Sequence, residues 1–164
     1  MIISNRDAQR FFNEFMRNRQ INIDFYERVP EEKSDFRLVD TNERKSDSIR
    51  ESLAHQINVQ RTYIKAVETG NLKFGPYYYK DLSLKTKKDL LLEALDADLR
   101  LEELLSHEIN CRKLITVPWD SKKVNSIVML WSLNSHEILH TGWNLALMDA
   151  LGIDRYDSLK QMWG

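Results

Sequence analysis

The sequence holds a single cysteine, Cys111, among 164 residues. With no partner for an internal disulfide, it fits a reducing compartment and reads as a small buried side chain rather than a catalytic thiol. Turn formers are scarce too: five Gly and three Pro. An all-β chain of this length needs many more, so long helices with few connections are expected. Neither sign of charge dominates, with 24 Lys and Arg against 25 Asp and Glu. The nearest approach to a basic block, Lys85, Lys87 and Lys88, reads as a solvated helix start, and no nucleic-acid partner is expected. No apolar run approaches the roughly 18 residues that span a membrane, and MIISNRDAQRFF has neither the apolar stretch nor the cleavage pattern of an export signal. The expectation is a soluble, cytoplasmic, single-domain protein over residues 1–164, with no membrane partner.

What is present is apolar periodicity. Hydrophobic residues make up 42% of the chain and charged residues 30%, enough of the first to build a core. The spacing predicts four helices, at about 5–28, 46–69, 86–109 and 121–151. The first carries Ala8, Phe11, Phe12, Phe15, Met16, Ile23 and Tyr26 as one stripe, with Ser4 and Asp7 as a capping pair and Val29-Pro30 as its stop. Arg19 and Asn22 fall inside that stripe and are expected near a bundle end, where they reach water. The second follows Ile49, Leu53, Ile57, Ile64 and Val67 to Gly70. The third begins at Thr86 and runs through Leu90, Ala94, Leu101 and Leu105. The fourth is apolar nearly all round and should be the most buried. The polar segment 30–46 reads as a loop. KFGPYYYKDLSLK is a second loop, whose Tyr77, Tyr78 and Tyr79 pack onto the bundle or cover a pocket. NCRKLITVPWD is a short extended connection between the third and fourth helices. Together these give an all-α, four-helix-bundle fold.

The chemistry lies in the histidines. His136 and His140 are four residues apart, about 40° on a helix, so both imidazoles share one face. On an apolar helix they need partners; a divalent metal ion satisfies both at once, and hydrogen-bonded neighbours also would. His55 sits about 140° from the second helix's main stripe, so periodicity alone makes it a surface residue. His107 reads as a cation at the C-terminus of the third helix.

His136-Glu137-Ile138-Leu139-His140 also spells H-E-x-x-H, the zinc-binding helix of metalloproteases. The remaining pattern is missing. Trp143 and Ala146 stand where one protease class has Gly and His, no Glu follows Glu137, and no strands precede the helix. A protease is the remote alternative.

The chain resembles the DinB/YfiT superfamily of metal-binding four-helix bundles over nearly its whole length. SIRESLAHQINVQRTYIKAVETG places His55 at the family's histidine on helix two, and SIVMLWSLNSHEILHTGWNLALMDALGI carries the H-x-x-x-H pair. Many relatives read H-E-x-x-H-R-G-Q there; Thr141 and Trp143 replace the Arg and Gln. The resemblance implies one divalent ion on His55, His136 and His140 with an open position for water or substrate. Zinc is the first expectation, and nickel, cobalt, manganese or iron are also compatible with imidazoles. It further implies a homodimer and a thiol S-transferase, using a low-molecular-weight thiol such as bacillithiol or mycothiol, or a hydrolase. Glu137 would then act as a base or orient a ligand. The alternative is a non-catalytic metal- or ligand-binding stress protein.

Overall fold

The computed structural model describes residues 1–75, 82 and 84–163, so Tyr77, Tyr78 and Tyr79 lie outside the described residues. Four long helices dominate: α1 (Arg6–Arg28), α2 (Ile49–Thr69), α3 (Lys87–Ser106) and α5 (Ser126–Leu151). Between α3 and α5 come a one-turn α4 (Glu108–Cys111) and two short strands, β1 (Leu114–Ile115) and β2 (Val124–Asn125). A final helix, α6 (Asp157–Trp163), closes the chain. The all-α bundle expected from periodicity is the fold observed. No helix among the described residues is long and apolar enough to cross a membrane.

Local chemistry sets the ends. Asn5, rather than Ser4, caps α1, accepting from the backbone N–H groups of Asp7 and Ala8. Helix α2 starts later than periodicity suggests, because Ser48 and Glu51 form a reciprocal capping box. Gly70 and Gly152 end α2 and α5 in the left-handed conformation that glycine adopts without a Cβ clash. The third helix breaks at His107 instead of reaching Ile109. The fourth begins at Ser126 rather than near Ser121, since Val124 and Asn125 pair antiparallel with Ile115 and Leu114. The connection is thus extended over only two residues on each side. In segment 30–46, a 3₁₀ turn (Glu31–Lys33) and the bridges Arg37–Ser48 and Asp40–Lys45 give the loop its shape.

Helix α1 packs mainly on α5 and α2 mainly on α3, while α1–α3 and α2–α5 close the ring. The order around the bundle is therefore α1–α5–α2–α3. One apolar cluster gathers Phe11, Phe15, Ile64, Val67, Leu101 and Leu133; a second gathers Phe25, Leu53, Ile57, Leu90, Leu147 and Leu159. Between them lies a polar layer of buried Asn18, Arg19, Asn22, Gln56, Gln60, Asp98, Asn134, Glu137, Thr141 and Asn144. Arg19 and Asn22 thus do not reach water at a bundle end; they are 1% and 0% exposed. Helix α5 is not the most buried helix either. It buries 11 of 26 residues against 13 of 21 in α2, because Val128 and Leu139 face outward while polar Asn134, Glu137 and Asn144 face in.

Candidate metal centre

The seam between α2 and α5 runs past the polar layer, and there the three histidines meet. His136 and His140 project from one face of α5, one turn apart, as their spacing requires. His55 projects from α2 towards them. Its edge of α2 faces the α5 seam, so it is half-buried rather than a surface residue. One ligand atom from each residue lies within 4.8 Å of the other two. The Nε2 atoms of His55 and His136 are 3.0 Å apart, and those of His140 and His136 3.3 Å. Two imidazole nitrogens held about 2.1 Å from one ion at roughly 90–109° would be about 3.0–3.4 Å apart. The observed separations fall in that interval. His107, the fourth histidine, ends α3 and takes no part in the cluster.

Electrostatics favour neutral rings. Burial, then the charge His55 would carry, then Arg19, hold His136 down at about 4. Burial, then His136, His55 and Arg19, hold His140 at about 3. His55 is lowered by burial, with Asp47 opposing. Neutral imidazoles are the ligating form, so near pH 7 the cluster can receive a cation without first losing protons.

The histidines line an open pocket of about 430 Å³ with Ser46, Asp47, Ser52, Leu139 and Trp143. Leu139 and Trp143 give it an apolar wall, and Asp47 is the one carboxylate among its lining residues. Glu137 is not on that wall. One step along α5 turns its side chain by about 100°, and it points inward to α1, fully buried. There its Oε2 accepts from Asn22 Nδ2 at 3.0 Å and its Oε1 lies 3.3 Å from Arg19 Nη2. Arg19 also reaches Asp98, with Nε 3.5 Å from Oδ1, and donates to Gln60 Oε1. Burial pushes the carboxyls of both Glu137 and Asp98 upward, and Arg19 opposes it in each. Thr141 donates to Asn22 Oδ1 at 3.1 Å and so belongs to the buried network, whereas Trp143 belongs to the pocket.

A family model, that of the DinB family, matches residues 1–157. The chain belongs to the DinB family. None of the curated proteins matches it. In this DinB chain the residues that sequence reasoning missed are Ser46, Asp47, Ser52 and Leu139 of the pocket and Asp98 and Gln60 of the network. Trp143 of the pocket and Thr141 of the network did carry a signal in advance, as departures from H-E-x-x-H-R-G-Q. The others show no spacing that separates them from ordinary helix positions.

Proposed function

We propose that this DinB protein holds one divalent ion, zinc in the first instance, on the Nε2 atoms of His55, His136 and His140, and catalyses transfer of a small thiol to an electrophile. The observation that carries the reading is the convergence of three Nε2 atoms at ligand spacing on the floor of an open pocket. Bound there, the ion would supply a site at which a thiol or a water molecule loses its proton near neutral pH. The protein's own side chains set the rest. The three imidazoles bring no charge, so the cation keeps its full attraction for an anionic sulfur or oxygen. Leu139 and Trp143 hold the apolar body of a substrate and exclude water from one side. Asp47, exposed at the rim, accepts a hydrogen bond from a donor group on the ligand.

The position of Glu137 favours thiol transfer over hydrolysis. Hydrolysis gains from a general base within reach of the attacking water, and Glu137 instead faces Arg19 and Asn22. A free thiol ionises at about pH 8.5, against about 15.7 for water, and so needs such a base less. The same observation gives weight to the second reading, a protein that binds metal or ligand without turnover.

Metal-loaded protein mixed with bacillithiol and a chromogenic electrophile tests the proposal. Thiol-dependent product formation at least about tenfold above buffer, abolished by His140→Ala, supports it. Tight stoichiometric metal without any turnover leaves the binding reading, and a rate that His140→Ala does not change removes the metal from the chemistry. The protein is further proposed to form a homodimer. In support, Leu92, Leu95 and Leu99 form an exposed apolar stripe along α3. Light scattering should give twice the chain mass for the native protein and one chain mass for Leu95→Lys.

A further inference from the structure

The polar layer holds one side chain whose hydrogen bonds all run to a single neighbouring helix. Asn22, on α1, is fully buried. Its Nδ2 donates to the Glu137 backbone carbonyl and to Glu137 Oε2, each at 3.0 Å. A backbone carbonyl only accepts, so the NH₂ end of the amide faces this way. Its Oδ1 accepts from Asn144 Nδ2 at 3.0 Å and from Thr141 Oγ1 at 3.1 Å. The Thr141 O–H is shared with the Glu137 carbonyl, 3.2 Å away. Two N–H groups and two lone pairs are all that an amide side chain offers, and here all of them go to α5. On a helix Glu137, Thr141 and Asn144 lie within about 60° of one another, and the His136–His140 pair lies about 90° round from them. Helix α5 has α1 and α2 as its neighbours in the ring, and in a four-helix bundle those two directions are roughly a right angle apart. Holding the first face against α1 therefore aims the two histidines at His55 on α2.

We infer that Asn22 is a positioning residue that sets the rotation and register of α5, and through it the convergence of His136 and His140 on His55. What this does for an ion rests on the three-histidine reading; the placement of the rings does not. Apolar packing is non-directional and tolerates a small turn of the helix, whereas hydrogen bonds weaken steeply when bent. The margin is narrow. A turn of α5 by about 20° moves a side-chain tip by about 2 Å, well outside the roughly 0.2 Å tolerance of ligand distances. Asn18, one turn earlier on α1, adds a bond to Asn134 Oδ1 at 2.9 Å. Arg19 adds its contact to Glu137 Oε1. Both of these reach side chains; of the three, Asn22 is the one that also bonds the α5 backbone.

Two measurements test this. The first is the nuclear Overhauser effect between the rings of His55 and His136, whose centroids are 5.0 Å apart, in metal-free protein at pH 7.5. It should be strong in the native protein and lost in Asn22→Leu, which has nearly the same volume and none of the four bonds. The second is affinity for Co²⁺ and Zn²⁺ by competition with a chromophoric chelator. Asn22→Leu should weaken binding about tenfold or more, as loss of the groups that orient a ligand set does. Thr141→Val and Asn144→Leu each remove one donor to Asn22 Oδ1 and should weaken it about threefold, the share of a single hydrogen bond. Tyr156→Phe, which removes a buried hydrogen bond to Ile21 and leaves α5 untouched, should change neither reading. Native ring contact and native affinity in a folded Asn22→Leu protein overturn the inference, as does equal weakening by Tyr156→Phe. If Asn22→Leu does not fold, the two milder variants decide, and native values in both overturn it. If the native protein binds neither ion, the metal reading fails while the ring contact still decides this one.

Discussion

Arg19 is the cation between two buried carboxylates, Glu137 and Asp98, and no other cation is paired with either among the described residues. Arg19→Met would leave both carboxyls to neutralise or stay charged in the bundle interior. Removing one partner of a buried ionic set costs about 3–5 kcal/mol. Urea unfolding should show a loss of that size, and adding Glu137→Gln to Arg19→Met should recover part of it. A loss below about 1 kcal/mol would mean that water reaches the layer. The sequence showed Arg19 and Asn22 to be anomalous, because they interrupt an apolar stripe. It could not show that Asn22 finds its partners on α5 and Arg19 its partners on α2, α3 and α5, since these lie far along the chain and only packing brings them together. His55 is the mirror case. The helical wheel measured its angle from the centre of the α2 stripe, yet a helix with neighbours on two sides buries its edges as well. The family pattern placed His55 where the wheel could not.

Helix α2 carries His55 and Ser52, so the cap that begins it also anchors one side of the histidine cluster. Ser48 accepts from the Glu51 N–H at 3.2 Å, and the Glu51 carboxylate accepts from the Ser48 N–H at 2.8 Å. Ser48→Ala should cost about 1 kcal/mol, a fall of about 2–4 °C in Tm for a chain of this size, with the helical circular dichroism retained. The signature S-x-x-E was present in the sequence at Ser48, but the start expected from periodicity, at about 46, lies three residues before Ile49. Elements with long periodic faces were readable, because burial of one stripe enforces the spacing that is seen. The β1–β2 pair has two residues per strand, too few for any period, and α6 spans only seven. Those pieces are defined by what they dock against. For α6, that includes Ser158 on Asp24 and the packing of Leu159 into the second apolar cluster.

At the scale of the molecule, the buried layer and the histidine cluster beside it couple stability to pH, and the two kinds of group pull in opposite directions. In the unfolded chain the histidines take protons near 6.5, whereas in the folded, metal-free protein His136 waits until about 4 and His140 until about 3. Between those limits the unfolded state binds more protons, so stability falls as pH falls. This contribution is fully present above about pH 7 and is lost progressively towards pH 4. Glu137 and Asp98 have folded values raised by burial, so their effect has the other sign: it is present at low pH and lost as pH rises through the carboxyl range. Both trends fall in acid, and a single profile would blend them. Subtraction separates them. Urea unfolding in EDTA at pH 7.5, 6 and 5 should show native stability dropping more steeply than that of the double variant His136→Gln/His140→Gln. The difference between the two isolates the imidazoles. Zinc at pH 7.5 should raise the native midpoint and leave the double variant unmoved, and the increment should shrink with acid and vanish only towards about pH 4, where protons take the ligand nitrogens. Parallel pH profiles for the two proteins would mean that the histidines are not desolvated by the bundle. A zinc-induced shift retained by the double variant would place the ion elsewhere.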